Sequence, residues 1–162
     1  MKEPSLWRIS KESTTKNEVY RFLWLRSMFG HPTCIRLDID VNGKGSLTFK
    51  ETNGFGSGAT GALCTWKIID LDQFQTTKFR KEISRIDFWN GSSTREVGGL
   101  DGARWVLEGA KGKDYKILDY FTPAKGNIEI VTRMLLNFSK SKVAKSVNFL
   151  NLNEVANPPV FP

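Results

Sequence analysis

Apolar and polar residues alternate along residues 33–50, which is the period of a β-strand with one buried face. An Asn-Gly dipeptide at 42–43 interrupts the alternation, and this dipeptide is a strong signal for a hairpin turn. A loop of odd length keeps the apolar side chains of both arms on one face, because a shift of one residue moves every side chain to the other face. We therefore predict a β-hairpin whose loop spans 42–44 and which pairs Ile39 with Leu47.

Four further segments have the pattern of strands, and two have the pattern of helices. Residues 18–27 are largely apolar on both faces, as expected of a central strand. Asp72 and Gln75 form a capping pair for a helix that ends near residue 86 and buries a face including Phe74. The other predicted elements are strands over 62–69, 103–110 and 114–121 and a second helix over about 127–139.

The order of these elements indicates an α+β fold. Short turns join neighbouring strands, so we expect a mostly antiparallel sheet of about five to six strands, with two helices packed on one face. A chain of 162 residues is most simply one domain. We expect a single α+β domain over 18–139, a flexible N-terminal arm over 1–17 and a C-terminal tail over 140–162.

Composition and cysteine usage narrow the setting. The net charge of +7 favours an acidic or polyanionic partner, although the basic residues are spread along the chain and also serve solubility. Cys34 and Cys64 belong to strands that an intervening strand should separate, which favours free, reduced thiols. No apolar run is long enough to span a membrane. We favour a cytoplasmic location, with a periplasmic one if a signal peptide has been removed.

The candidate chemistry is sparse. Asp38 and Asp40 begin a pattern typical of a calcium loop, but the twelfth position is Phe49 instead of a carboxylate, so we predict no metal site. The glycines of 56–61 match a dinucleotide fingerprint, yet a strand follows them where that fingerprint requires a helix. His31 is the single histidine, which leaves too few ligands or bases for a zinc site or a triad. We predict no cofactor and no catalytic residue.

The clearest candidate contact surface is basic. Lys78, Lys81 and Arg85 follow a spacing of i, i+3, i+7 on the outer side of the first helix. They are either an ordinary solvated face or a docking stripe for an acidic protein or for phosphates. Asp38 and Asp40, on the polar face of the hairpin, are further candidate binding residues.

Two sequence blocks carry a family resemblance. One runs from Glu18 to Arg26 and reads EVYRFLWLR, with His-Pro at 31–32 after it, and the other is GLDGARWVLEG at 99–109. Together with the Phe-Trp pair at 88–89, they resemble a family of small uncharacterised bacterial proteins. The resemblance implies a bacterial source and a shared fold, and it implies no activity, site or cofactor.

These observations favour a protein that binds over one that catalyses. Our leading hypothesis is a non-catalytic protein-binding module, most concretely a bacterial immunity protein of the antitoxin type that blocks a cognate toxin with an acidic surface. This rests on an analogy of size and missing chemistry. The first alternative is a nucleic-acid or phosphate-binding domain that uses the basic helix face. The second alternative is an enzyme with an unrecognised carboxylate site.

Overall fold

The computed structural model of the chain describes residues 3–12, 17–26, 30–54, 61–95, 102–121 and 127–139. The helices are α1 (Leu6–Glu12), α2 (Gln73–Arg85) and α3 (Asn127–Ser139). The strands are β1 (Glu18–Arg26), β2 (Thr33–Ile39), β3 (Gly45–Thr52), β4 (Leu63–Leu71), β5 (Thr94–Arg95), β6 (Ala103–Lys111) and β7 (Asp114–Phe121).

The strands form one sheet in the order β4-β3-β2-β1-β6-β7-β5. Its six long strands are all antiparallel to their neighbours, and the two-residue β5 pairs in parallel with β7. Short turns join β2 to β3 and β6 to β7. The architecture is α+β, as the order of elements predicted.

Strand β1 lies at the centre of the sheet because both of its faces are apolar. It pairs with β2 on one side and with β6 on the other. Tyr20, Phe22 and Trp24 point to the side of α2 and α3 and enter the main core. Val19 points to the other side and packs with Leu6 of α1. The prediction of a central strand in this segment is confirmed over Glu18–Arg26.

The hairpin of β2 and β3 has the predicted odd parity but a different register. Ile39 pairs with Gly45, two residues away from the predicted Leu47, and Leu47 pairs with Leu37 instead. The backbone N–H of Asp40 donates to the carbonyl of Lys44 at 2.9 Å, which places the loop at 41–43. The apolar side chains still share one face, because a shift of two residues preserves the alternation.

The side chain of Asp40 explains the position of the turn. Its carboxylate accepts hydrogen bonds from the backbone N–H groups of Asn42 at 2.9 Å and Lys44 at 2.8 Å. Aspartate often holds a turn in this way. Gly43 has φ of +81°, a left-handed conformation that glycine adopts without steric cost. The sequence expectation of a loop at 42–44 was therefore wrong by one residue.

Helix α2 begins as predicted and buries a narrower face than predicted. Asp72 and Gln75 form a reciprocal capping box at its first turn. Phe79 and Ile83 are buried in the main core, but Phe74 is 78% exposed. The prediction that Phe74 belongs to the buried face was wrong, because Phe74 lies in the first turn and on the outer side of the helix.

Helices α2 and α3 cover one face of the sheet, as predicted, and α1 lies on the other. Ile128, Val131 and Leu135 of α3 join the main core. Helix α1 was not predicted, since the polar composition of residues 1–17 indicates a flexible arm. It packs Leu6 beside Val19, and its short length hides the periodicity that identifies longer helices.

A close approach behind α2 requires a glycine in β6. Phe88 is buried after the end of α2 and makes edge contacts with Tyr20 and Trp89. A Cβ atom at Gly109 would lie 2.6 Å from Cε1 of Phe88 and 3.0 Å from Cη2 of Trp89. The absence of a side chain at 109 therefore makes room for the aromatic ring.

Candidate protein-binding face

The sheet face opposite α2 and α3, which we call the outer face, has only partial cover. The segment 3–12 crosses it. Glu3 forms an ion pair with Lys50 of β3, and Arg21 of β1 donates to the carbonyl of Pro4 at 2.9 Å. Helix α1 then continues over β1, β6 and β7. Beyond Lys50 toward the β4 edge, no described helix lies on this face.

The registers of β2, β3 and β4 define what remains uncovered. Trp66 pairs with Lys50, Ile68 pairs with Thr48, and Thr48 pairs with Arg36. Paired residues of neighbouring strands lie on the same face, so these side chains are neighbours. We call this surface the open face, and its residues are Arg36, Asp38, Ser46, Thr48, Trp66, Ile68 and Asp70, which pairs with Ser46.

The open face exposes two large apolar side chains next to each other. Trp66 is 62% exposed and Ile68 is 61% exposed. They lie two positions apart on one strand, so both point outward from the same face. Exposed apolar side chains are common singly, but an aromatic and an aliphatic residue together on a polar surface are typical of a contact site.

Two charges of the open face are paired with each other, whereas the exposed Asp70 forms no ion pair among the described residues. The guanidinium of Arg36 donates to both carboxylate oxygens of Asp38, at 2.9 and 2.6 Å. The ammonium of Lys50, already paired with Glu3, lies 5.9 Å from the ring centroid of Trp66. A partner would therefore meet an apolar centre bordered by paired charges and by the carboxylate of Asp70, an arrangement that favours contact with another protein surface.

Strand β4 ends the sheet. Among the described residues, no strand pairs with its outer edge. Leu63, at its start, is 49% exposed. An edge strand presents unpaired backbone N–H and C=O groups, which are a template for a further strand. The open face and the β4 edge are continuous, because Trp66 and Ile68 belong to both.

The basic residues predicted from the sequence lie elsewhere. Lys78, Lys81 and Arg85 are all exposed on α2, and Arg85 donates to Glu82 at 2.7 Å. Phe74 lies on the same stripe, four residues before Lys78. Because α2 covers the opposite side of the sheet, this basic stripe and the open face are separate surfaces.

The two acidic candidates have structural partners. Asp38 is paired with Arg36 and lies on the open face, whereas Asp40 holds the hairpin turn. The structure does not bring either aspartate to the basic stripe of α2. Asp38 therefore remains a candidate contact residue, and the hydrogen bonds of Asp40 already account for its place in the turn.

Buried polar networks tie the elements together. The carboxylate of Glu108 accepts from Arg21 at 2.7 Å and from the hydroxyl of Tyr115 at 2.7 Å. The carboxylate of Glu18 accepts from the hydroxyl of Tyr20 at 3.0 Å and from Arg80 of α2 at 3.2 Å. These contacts join β1 to β6, β7 and α2, and the charged groups that form them are paired within the fold.

Burial and charge raise the pKa values of two of these tyrosines. Burial is the main cause of the raised pKa of Tyr20, and the negative charge of Glu18 adds to it. Burial likewise raises the pKa of Tyr115, followed by its hydrogen bond to Glu108. Both phenols are therefore kept as neutral hydrogen-bond donors.

The two cysteines are free and differ in environment. Cys34 of β2 is buried, and burial raises the pKa of its thiol to about 12. Cys64 of β4 is exposed, and its sulfur lies 3.2 Å from the carbonyl oxygen of Glu51. Strand β3 separates the two strands, as predicted.

Two further observations concern only the described part of the chain. Within it, no three His, Cys, Asp or Glu side chains lie close enough together to hold a metal ion. None of its helices has the length and apolar character needed to cross a membrane. The glycine-rich segment 56–61 and the tail 140–162 lie largely outside the described residues.

Trp66 and Ile68 were not predicted as contact residues from the sequence. The pattern predicts a strand over 62–69, but a strand with apolar residues on both faces is also the pattern of a buried one. Only the strand order places this segment at an edge. The available sequence signal was Lys67, because a lysine inside an otherwise apolar strand is typical of edges.

No protein-family model matches the sequence. No curated protein matches it either.

Proposed function

We propose that the chain is a non-catalytic protein-binding module and that it binds its partner through the open face and the adjoining edge of β4. The observation that carries this proposal is the exposure of Trp66 and Ile68, side by side, beside the paired charges of Arg36 and Asp38. Large aromatic side chains supply much of the binding energy at protein interfaces. A preformed sheet presents them with little loss of conformational freedom on binding.

In its most concrete form, the proposal is a bacterial immunity protein that blocks a cognate toxin. The family resemblance implies a bacterial source, and the small size and absence of recognised chemistry fit a protein that acts by covering a surface. The net charge of +7 favours a partner with acidic regions around the contact.

The test is affinity capture from a lysate of the source organism after nuclease treatment. Three baits are compared at raised salt: the wild-type chain, the double variant Trp66→Thr, Ile68→Thr, and the double variant Lys78→Ala, Lys81→Ala. We expect one stoichiometric protein with the wild-type and α2 baits and its loss with the open-face variant. Equal capture by all three baits would reject the open face as the binding surface.

The immunity role needs a second readout. The captured partner is expressed alone and together with the chain in a susceptible host. We expect growth arrest with the partner alone, rescue by the wild-type chain, and no rescue by the open-face double variant. A partner that is harmless alone would reject the immunity role and leave the binding function intact.

A second candidate function is binding of nucleic acid or phosphates through α2. The observation in its favour is the stripe formed by exposed Phe74 with Lys78, Lys81 and Arg85, because a ring beside basic side chains suits base stacking and phosphate contact. This candidate predicts single-stranded nucleic-acid binding that weakens steeply as salt rises and is lost in Lys78→Ala, Lys81→Ala. Binding that the α2 variant leaves unchanged would reject it.

A further inference from the structure

The outer edge of β4 has an alternating chemistry that a partner strand would have to match. Trp66 and Ile68 point to the open face, and Lys67 between them points to the face covered by the helices. A strand added to β4 would place its own side chains beside these three in the same alternation. A partner strand would therefore need apolar residues on the side of the open face, and on the other side a residue that interacts favourably with Lys67.

Lys67 is a charge without a counter-ion. Its side chain is exposed, and among the described residues it forms no ion pair. Its ammonium lies 5.9 Å from the ring centroid of Phe49, whose Cα is paired with its own. A strand laid against β4 would partly desolvate this ammonium, so a carboxylate opposite it would be favoured and a basic residue would be disfavoured.

The same charge argues against a second copy of this chain as the occupant. Two β4 strands that meet antiparallel about a two-fold axis keep their faces, so Lys67 would lie beside an odd-numbered residue of the other copy. The odd-numbered residues of β4 are Leu63, Thr65, Lys67, Ile69 and Leu71, and none is acidic. Asp70 lies on the other face. Self-pairing would leave Lys67 without a counter-ion.

We propose that the β4 edge binds an extended segment of a partner protein in which a carboxylate residue is flanked on both sides by apolar residues. The segment pairs with the β4 backbone, its apolar residues contact Trp66 and Ile68, and its Asp or Glu lies beside Lys67. This inference rests on the proposed function, since it takes the β4 edge as part of the binding surface, and it adds the chemistry of the partner.

The experiment is a selection from a phage-displayed library of random peptides on the immobilised full-length chain, followed by affinity measurement of the enriched peptides. Three proteins are used in parallel: wild type, Lys67→Glu and Trp66→Thr. Both substituted positions are exposed in the native chain, and a urea unfolding curve of each variant checks that it folds. Sedimentation of the free chain reports whether it self-associates.

We expect wild type to enrich peptides with an apolar–acidic–apolar pattern, and Lys67→Glu to enrich a basic residue at the central position. Each peptide should bind the mismatched protein at least about tenfold more weakly, as like charges in a contact cost affinity. Trp66→Thr should weaken both sets. Absence of enriched peptides, or peptides whose charge preference does not follow residue 67, would overturn the proposal.

Two other occupants appear as distinct results. If the free chain self-associates and Lys67→Glu changes that self-association, the occupant of the edge is a second copy, and the proposal is overturned. Competition by a synthetic peptide of residues 140–162 would identify the chain's own C-terminal segment and overturn it as well. A captured partner that is lost with Trp66→Thr, Ile68→Thr but is unaffected by Lys67→Glu would keep the proposed function and reject strand addition.

Discussion

Strands β1 and β4 are equally long and equally apolar, yet one is the centre of the core and the other is a surface. Each has nine residues, of which six are apolar. In β1 all but Leu23, Leu25 and Arg26 are buried, whereas in β4 only Leu71 is buried. The difference shows that the number of paired neighbours, more than composition, decides whether an apolar strand is used for folding or is left for contact.

The charged residues of the two strands also differ in whether an ion pair neutralises them. In β1, Arg21 is 8% exposed and is neutralised by Glu108 within the fold. In β4, Lys67 is exposed and has no such partner among the described residues. A charge in the centre of a sheet must be paired to be tolerated, and a charge at an edge can remain available to select a partner.

The strongest test of this comparison uses the same residue type in both strands. Trp24→Ala in β1 should lower the free energy of unfolding by about 3–5 kcal/mol, because it empties a site that is 2% exposed. Trp66→Ala in β4 should lower it by about 0.5 kcal/mol or less, as expected for a surface position. Urea unfolding of both variants measures the difference, and equal losses would break the comparison.

The ion pairs provide the next test. Glu108→Gln leaves the guanidinium of Arg21 buried without its counter-ion and should cost about 3 kcal/mol of unfolding free energy. Asp38→Asn removes the partner of Arg36 on the open face, where solvent compensates, and should cost less than about 1 kcal/mol. Chemical denaturation of the two variants measures both losses. A larger loss for Asp38→Asn than for Glu108→Gln would show that the ion pair of the open face stabilises the fold.

The close contact between Gly109 of β6 and Phe88 predicts a smaller loss of unfolding free energy. Gly109→Ala forces a methyl group against Phe88 and should cost about 1–3 kcal/mol in unfolding free energy. Ser46→Thr, which adds a methyl group on the open face, should stay within about 0.5 kcal/mol of wild type. In the double variant Gly109→Ala, Phe88→Leu, the loss should be smaller than the sum of the single losses, since the two sites share one space. Additive losses would contradict this account.

The reactivity of the two cysteines distinguishes a buried strand, β2, from the edge strand β4, and we expect little change in stability at neutral pH. A maleimide should modify Cys64 but not Cys34 in the native chain, and both after unfolding, as mass spectrometry would count. Since the unfolded thiol ionises near 9 and folded Cys34 near 12, the unfolded state loses its proton first, and stability falls as pH rises through that window. Cys34→Ala should reduce this alkaline slope, and an unchanged slope would reject the assignment to Cys34.

Local patterns predicted the elements of this fold well, because each depends on neighbours in sequence. The capping pair of Asp72 and Gln75 begins α2, and the turn signal at 42–43 places the hairpin to within one residue. The register was missed because the Asp40 carboxylate, and not the Asn-Gly dipeptide alone, sets the turn. These are local effects that hydrophobic alternation does not encode.

The candidate site was much less predictable. The candidate site depends on the strand order, which makes β4 an edge strand. It also depends on the path of segment 3–12, which covers the outer face only as far as Lys50. Both depend on contacts between residues far apart in sequence. The basic stripe of Lys78, Lys81 and Arg85 was visible because it follows a helical period within one element. The stripe can therefore be predicted from the sequence alone, whereas Trp66 and Ile68 cannot.

The most direct test of the central claim is backbone hydrogen exchange of the chain, free and bound to the protein partner that wild-type bait captures. We predict that binding slows exchange in β4 and in the adjoining residues of β3 and leaves exchange in α2 unchanged. Protection confined to α2, with β4 exchanging as in the free chain, would contradict it.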